Sequence, residues 1–143
     1  MTRKALMLFA TVALMVVAAS AVAAASTMGD TETASHIRAH LESVDGSGVH
    51  GTVNLFQLPK EGTEIFVFAK GLTPGKKYVS LYYGNPRCAN PDKDDVIGGP
   101  YTALPGGLGF TIGTSDDDLD EIQAVSVRSA KSFHLRACAP VQH

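Results

Sequence analysis

The chain has 143 residues, of which 12 are Lys or Arg and 14 are Asp or Glu, so its formal net charge is −2. A chain of this length forms one domain and buries a core without a metal or cofactor to complete it. Because the sequence has no run of basic residues, it argues against nucleic acid as a partner.

Residues 1–25 have the pattern of a secretory signal peptide. A basic start, Arg3-Lys4, precedes a long apolar run that ends in Ala23-Ala24-Ala25, an A-x-A cleavage site. The alternative is an uncleaved membrane anchor, because the run approaches the roughly 20 residues that a spanning helix needs. Residues 26–33 are small and polar and are predicted to be a flexible leader, so the folded domain is expected over 34–143.

The chain has two cysteines, Cys88 and Cys138. An exported chain meets oxidising conditions, in which a single pair of cysteines normally forms a bridge. We therefore predict a Cys88–Cys138 disulfide. The alternative is a thiol or metal-binding role, but neither cysteine has the close second cysteine of redox and zinc motifs.

Two segments before residue 60 carry apolar alternation. Ile37, Ala39 and Leu41 alternate as in a strand, although Ile37 and Leu41 would also share one face of a helix. After a Gly-rich turn, Val49–Gln57 alternates without ambiguity and predicts a strand.

The centre of the chain predicts a hairpin. Residues 64–70 and 78–83 are rich in aromatic and β-branched side chains, which favour strands. Pro74-Gly75 lies between them, and Pro followed by Gly is the pattern of a tight turn. The two strands are therefore expected to pair across this turn.

The second half alternates irregular and extended stretches. Residues 85–107 are rich in Pro, Gly and Asp and predict a long loop, and 116–121 is an acidic run expected to be a solvated connection. Strands are predicted at 108–112, 122–128 and 133–138. Seven strands at short intervals, with no convincing helix, indicate an all-β Greek-key β-sandwich or barrel.

Four motifs, in order, resemble the copper/zinc superoxide dismutase family. Residues 49–57 resemble its V-x-G-x-I-x-F-x-Q strand, and residues 70–75 match its K-G-L-T-x-G turn. Residues 104–109 are similar to H-x-G-D-L-G, and Arg136-Ala137-Cys138 is close to the terminal R-L-A-C. The resemblance implies an immunoglobulin-like Greek-key sandwich, and the family's disulfide joins the regions of the two cysteines.

The sequence departs from this family at the copper-binding strand. The family places an H-x-H pair there, whereas the corresponding positions carry Ser80 and Tyr82 in one register, or Val79 and Leu81 in the other. Loop 85–107, which in the family holds further ligands, contains no histidine. The resemblance therefore implies a member that lacks the metal-ligand histidines.

Further departures affect the rest of the family's active site. In the third motif, Leu104 stands in place of a histidine and Gly107 in place of an aspartate. Leu135 occupies the position of the family's catalytic arginine, and Arg136 follows it by one residue. Only Ser129 to Ser132 joins the last two strands, where the family has a long electrostatic loop. Rapid dismutation needs a redox-active metal held by nitrogen ligands, so no catalytic residue and no cofactor are predicted.

His36 and His40 are the remaining weak metal candidates. On a helix their spacing would place both rings on one face, whereas on a strand they lie about 13 Å apart, too far for one ion. The resemblance places this segment on the first strand. The main prediction is that the chain has no cofactor, and the alternative is that it binds the copper and zinc of the family.

Phenylalanines suggest an interaction surface. If Val53 and Val67 face the core, Phe56, Phe66 and Phe68 have the opposite parity and form an exposed apolar patch. Such a patch favours a protein partner or a homo-oligomer. The alternative is that a second layer or the long loop covers it.

The sequence leads to one main hypothesis and one alternative. The main hypothesis is an exported superoxide dismutase-like sandwich without the catalytic metal site, acting as a binding or structural module, in the periplasm, at the cell surface or outside the cell. The alternative is a functional superoxide dismutase or copper-binding protein with relocated ligands. Whether the chain is an enzyme stays open, with a non-enzymatic role favoured, and membrane contact is expected only if the signal segment is uncleaved.

Overall fold

The computed structural model describes residues 35–143. The predicted signal peptide, 1–25, and leader, 26–33, lie outside the described residues. Among the residues that are described, no helix is long and apolar enough to cross a membrane.

The described chain is all-β, as predicted, and has eight strands. They are β1 (His36–Ser43), β2 (His50–Gln57), β3 (Thr63–Lys70), β4 (Lys77–Tyr83), β5 (Tyr101–Thr102), β6 (Gly109–Ser115), β7 (Ala124–Ser129) and β8 (Leu135–Pro140). Seven correspond to the predicted strands, and the first segment is a strand rather than a helix. The eighth, β5, is a two-residue strand inside the predicted long loop.

The strands form one antiparallel sheet that almost closes into a barrel. Their order is β5-β4-β7-β8-β1-β2-β3-β6. At the open seam, the Ile97 amide donates to the Ser80 carbonyl of β4 (2.8 Å), and the Thr111 hydroxyl of β6 donates to the Ile97 carbonyl (3.0 Å). Ile97 thus connects β4 and β6 across the seam, and the β3–β4 and β6–β7 connections are crossovers of the Greek-key type.

The predicted hairpin is wrong, although its turn is present. The Lys76 amide donates to the Thr73 carbonyl (3.1 Å) and Gly75 has φ 77°, as a tight Pro-Gly turn requires. However, β3 pairs with β2 and β6, while β4 pairs with β5 and β7. A Pro-Gly turn can join two strands that pair with each other, or it can lead the chain from one half of a barrel to the other. The turn residues therefore do not determine which strands pair.

Apolar side chains form two separate clusters. The main core lies inside the barrel and contains alternate residues of the strands, such as Val53, Leu55 and Val67, which are fully buried. β4 and β7 are buried on both faces, because the loop after β4 covers their outer side. The side chains beneath that loop, here called the outer cluster, are Val79, Leu81, Tyr83, Cys88 and Ala124.

Candidate interaction surface

In one of the two registers, the outer cluster occupies the strand positions at which the resemblance would place copper ligands. Val79 and Leu81 belong to it and are buried, with Leu81 at 0% exposure. In the other register, Ser80 and Tyr82 point into the barrel, where the Ser80 hydroxyl hydrogen-bonds the Tyr101 hydroxyl (3.0 Å). In this enclosed position, burial raises the pKa of Tyr101 to about 12. Both registers therefore direct these side chains into packed interior rather than toward a shared ligand site.

The predicted disulfide is confirmed and fastens the covering loop to β8. Cys88, on the loop, is bonded to Cys138, on β8, with a Cα–Cα distance of 6.0 Å. The Cys88 side chain is 1% exposed and packs in the outer cluster. This bond is compatible with an exported, oxidising location.

Arg128 of β7 is a buried cation that sequence reasoning missed. It is 8% exposed and makes three hydrogen bonds, in which Nε donates to the Tyr83 hydroxyl (2.9 Å), one terminal nitrogen to the Phe133 carbonyl (2.8 Å) and the other to the Cys88 carbonyl (2.8 Å). Tyr83 in turn hydrogen-bonds the hydroxyl of Ser126 (2.8 Å). The guanidinium group therefore links β4, the covering loop that carries Cys88 and the β7–β8 turn.

The two backbone carbonyls that Arg128 binds belong to residues in an uncommon conformation. Cys88 has φ 53° and Phe133 has φ 59°, in the left-handed region that residues other than Gly rarely adopt. The Phe133 ring also lies 5.6 Å from the guanidinium carbon. We infer that Arg128 stabilises both backbone conformations, because each points a carbonyl at a fixed cationic donor. The only sequence signal was a charged residue inside an apolar strand pattern.

The histidines are distributed over the barrel surface. His36 and His40 lie on β1, four residues apart along a strand, and both are exposed. His36 is hydrogen-bonded to the Asn54 side chain (3.3 Å) and stacks on Phe56 with 4.3 Å between ring centroids. Within residues 35–143, no group of three or more His, Cys, Asp or Glu side chains is placed to hold a metal ion.

Part of the acidic run is structural rather than simply solvated. The Asp118 carboxylate accepts hydrogen bonds from the Gly62 amide (2.9 Å) and the Gln57 side-chain amide (2.8 Å). The Gln57 side chain also accepts a hydrogen bond from the Leu119 amide (2.8 Å). Asp118 and Gln57 thereby connect the β2–β3 turn to the β6–β7 crossover.

This arrangement predicts an acid-dependent loss of stability. The hydrogen bonds from Gly62 and Gln57 hold the pKa of Asp118 below its usual value of 3.8. A carboxyl whose pKa is depressed on folding stabilises the protein above its unfolded-state pKa, and that contribution is lost as the pH falls through the folded-state pKa. We expect Asp118→Asn to unfold at lower urea concentration than the wild type at pH 6, and the difference to shrink below about pH 4.

The matched control for this experiment is Asp120→Asn, a neighbouring exposed carboxyl. Its urea midpoint should stay within error of the wild type at both pH values. Asp117 is unsuitable as a control, because its pKa is raised, mainly by partial burial and next by the nearby charge of Glu121. A raised carboxyl pKa gives stability the opposite pH dependence. A pH-independent difference for Asp118→Asn would contradict the assigned role of the Asp118 charge.

The predicted phenylalanine positions lie on the outer face of the barrel. Val53 and Val67 are fully buried, whereas Phe56 and Phe68 are 38% and 36% exposed and Phe66 is half-buried. Phe56 and Phe66 contact each other edge to face, with 5.6 Å between ring centroids. The described residues therefore leave these rings on the surface instead of covering them.

Strand β6 extends this surface with two residues that the sequence did not single out. Phe110, 53% exposed, pairs directly with Phe68, and Ile112, 42% exposed, pairs with Phe66. We call the five outward side chains Phe56, Phe66, Phe68, Phe110 and Ile112 the apolar face. A strand was predicted at 108–112, but its partner was not, and Phe110 and Ile112 join the set only once β6 is known to pair with β3.

Charged residues mark the two ends of the apolar face on β3. Glu64, Phe66, Phe68 and Lys70 share one parity and point outward in that order. The Lys70 ammonium nitrogen lies 5.6 Å from the centroid of the Phe68 ring. The face is therefore acidic at one end, apolar in the middle and basic at the other end.

Compared with protein-family models and with curated proteins, the chain matches none. The resemblance to copper/zinc superoxide dismutases accordingly rests on the four sequence motifs and stays a prediction. The all-β fold and the disulfide are independent of it, because both come from the structure.

Proposed function

We propose that the chain is an exported binding or structural module, built on a superoxide dismutase-like scaffold without the catalytic metal site. The observation that carries the proposal is the apolar face, in which five large apolar side chains lie together on the outside of β2, β3 and β6. A contiguous apolar patch with a polar rim is typical of an interaction surface on a soluble protein. The packing of β4 supports the second part of the proposal, since the positions where the resemblance would require copper ligands are Val79 and Leu81 of the outer cluster in one register, and Ser80 and Tyr82 inside the barrel in the other.

The occupant that best fits the apolar face is a second copy of the chain. Two sheets bury apolar faces by packing against each other about 10 Å apart. A two-fold axis that lies in the plane of the interface and runs perpendicular to β3 would place Glu64 of each copy opposite Lys70 of the other. The same operation stacks Phe66 over Phe68 and Phe110 over Ile112, so both the charge pattern and the apolar pattern are self-complementary.

The size of the face predicts a weak dimer. Three strands of about eight residues span about 14 Å by 24 Å, which gives roughly 700 Å² buried over both copies. Stable interfaces bury about 1,200 Å² or more. The dissociation constant is therefore expected in the micromolar range, on the order of 10–100 μM.

The first test is the replacement of a central ring of the face. We expect Phe68→Ser to weaken self-association by at least about tenfold, because a ring at the centre of a small interface carries much of its binding energy. The measurement is the concentration dependence of the sedimentation coefficient of the mature protein. The control is Leu104→Ser, which removes a more exposed apolar side chain from the β5–β6 turn and should leave association unchanged.

Two results would contradict the proposal. A wild-type protein that is monomeric up to millimolar concentration would remove the second copy as the occupant of the face. Near-stoichiometric bound copper together with superoxide consumption, after both copper and zinc are supplied, would support the alternative of a functional enzyme.

A further inference from the structure

A groove on the opposite half of the barrel collects basic residues from two distant parts of the chain. It lies between the start of β4 and the β7–β8 turn and has a volume of about 560 Å³. Lys76 and Lys77 line one wall, and Lys131, His134 and Arg136 line the other. No Asp or Glu is among the described residues that line it.

The concentration of charge is unusual for this chain. Residues 35–143 contain ten Lys and Arg against twelve Asp and Glu, yet four of those ten cations share one groove. Like charges gathered without a carboxylate repel one another and attract a counter-anion. The sequence concealed this groove because Lys76-Lys77 and Lys131 to Arg136 are separated by most of the second half of the chain.

The backbone holds the two walls in a fixed relation. The Ala130 amide donates to the Lys77 carbonyl (3.0 Å), and Tyr78 pairs with Ser129 in the β4–β7 ladder. Within the second wall, the Ser129 amide donates to the His134 carbonyl (3.0 Å). The cationic side chains therefore extend from a preformed frame, which reduces the ordering that a ligand must impose.

The donors favour a particular chemical class of ligand. Lysine ammonium groups and an arginine guanidinium group bind phosphate and sulfate oxygens through charge-assisted hydrogen bonds. The hydroxyls of Ser129 and Ser132, which also line the groove, add neutral donors. Cations on both walls suit an anion with at least two charged groups, and the groove volume falls in the range of small-molecule sites, about 300–1,000 Å³.

We propose that this groove binds a small soluble oxyanion that carries two or more phosphate or sulfate groups. The site lies on β4, β7 and β8, whereas the apolar face lies on β2, β3 and β6. The inference therefore goes beyond the proposed self-association and does not depend on it.

The test is titration calorimetry of the mature protein with pyrophosphate as the probe, in low salt. The wild type should bind pyrophosphate with one site per chain, and the affinity should fall steeply as salt is added. The double variant Lys77→Gln, Lys131→Gln removes one cation from each wall and should bind at least about a hundredfold more weakly, because two charge-assisted contacts are lost.

The matched control is Lys60→Gln, Lys93→Gln, which changes the net charge equally at exposed positions outside the groove. This control should bind pyrophosphate as the wild type does, and all three proteins should have the same thermal midpoint. Equal weakening in both double variants would overturn the proposal by assigning binding to net charge. Binding to phosphatidylglycerol vesicles without binding to pyrophosphate would also overturn it, because the ligand would then be a lipid surface.

Discussion

Replacing both cysteines, by Cys88→Ala with Cys138→Ala, is expected to lower the free energy of unfolding by about 4 kcal/mol. The bridge joins residues separated by 50 positions, and opening it restores the chain entropy of that loop to the unfolded state. The native state also loses packing, because Cys88 is buried in the outer cluster. A loss of this size is comparable with the whole net stability of a small domain, about 5–15 kcal/mol.

Urea unfolding without reductant measures this difference, and the reductant supplies its control. Adding reductant should lower the urea midpoint of the wild type toward that of the double variant while leaving the double variant unchanged. Identical midpoints for the oxidised wild type and the double variant would contradict the stabilising role of the bridge.

Replacing Arg128 by methionine is expected to reduce the free energy of unfolding by about 3–5 kcal/mol, through loss of a buried hydrogen-bond network. Methionine replaces the unbranched, aliphatic part of the arginine side chain but lacks the guanidinium group and donates no hydrogen bond. The carbonyls of Cys88 and Phe133 and the hydroxyl of Tyr83 would each lose the donor that they have in the native structure. Since the two carbonyls belong to residues with positive φ, the loop and the turn should also lose order.

Two comparison variants separate this network from a simple charge effect. Arg128→Lys keeps the charge but not the planar group that donates in three directions, so it should recover only part of the lost stability. Arg87→Met removes an exposed arginine and should change the urea midpoint little. An Arg128→Met protein as stable as the wild type would show that the three hydrogen bonds contribute no net stability. If Arg128→Met is destabilised as expected, faster hydrogen exchange of the amides in 84–95 should show the loss of order in the loop.

Local patterns were sufficient for seven of the eight strands and for the disulfide. Alternation placed Val53 and Val67 in the core and Phe56 and Phe68 outside it, because side chains of a strand point to opposite faces in turn. The cysteine pair was predictable because an exported chain with only two cysteines offers one pairing. The Pro74-Gly75 turn was predictable from the φ preferences of its two residues.

The strand partners and the surfaces were not predictable from local patterns. One of the two partners of β3 is β6, which lies far along the chain, so neither the error in the predicted hairpin nor the Phe68–Phe110 pair could be recognised from neighbouring residues. Arg128 was hidden for the same reason, because its three acceptors lie on different segments. In a barrel with crossovers, non-local pairing decides which polar and apolar side chains meet.

The most direct test of the self-association at the centre of this account is a charge exchange at the ends of the apolar face. Glu64→Lys should weaken dimerisation, measured by sedimentation velocity across a concentration series, because it opposes two lysines across the two-fold axis. Adding Lys70→Glu to that variant should restore the wild-type dissociation constant, whereas the control Asp94→Lys, in the long loop, should leave it unchanged. Failure of the double exchange to restore association, with both proteins folded, would contradict the proposed pairing of Glu64 with Lys70 and the apolar face as the contact between two copies.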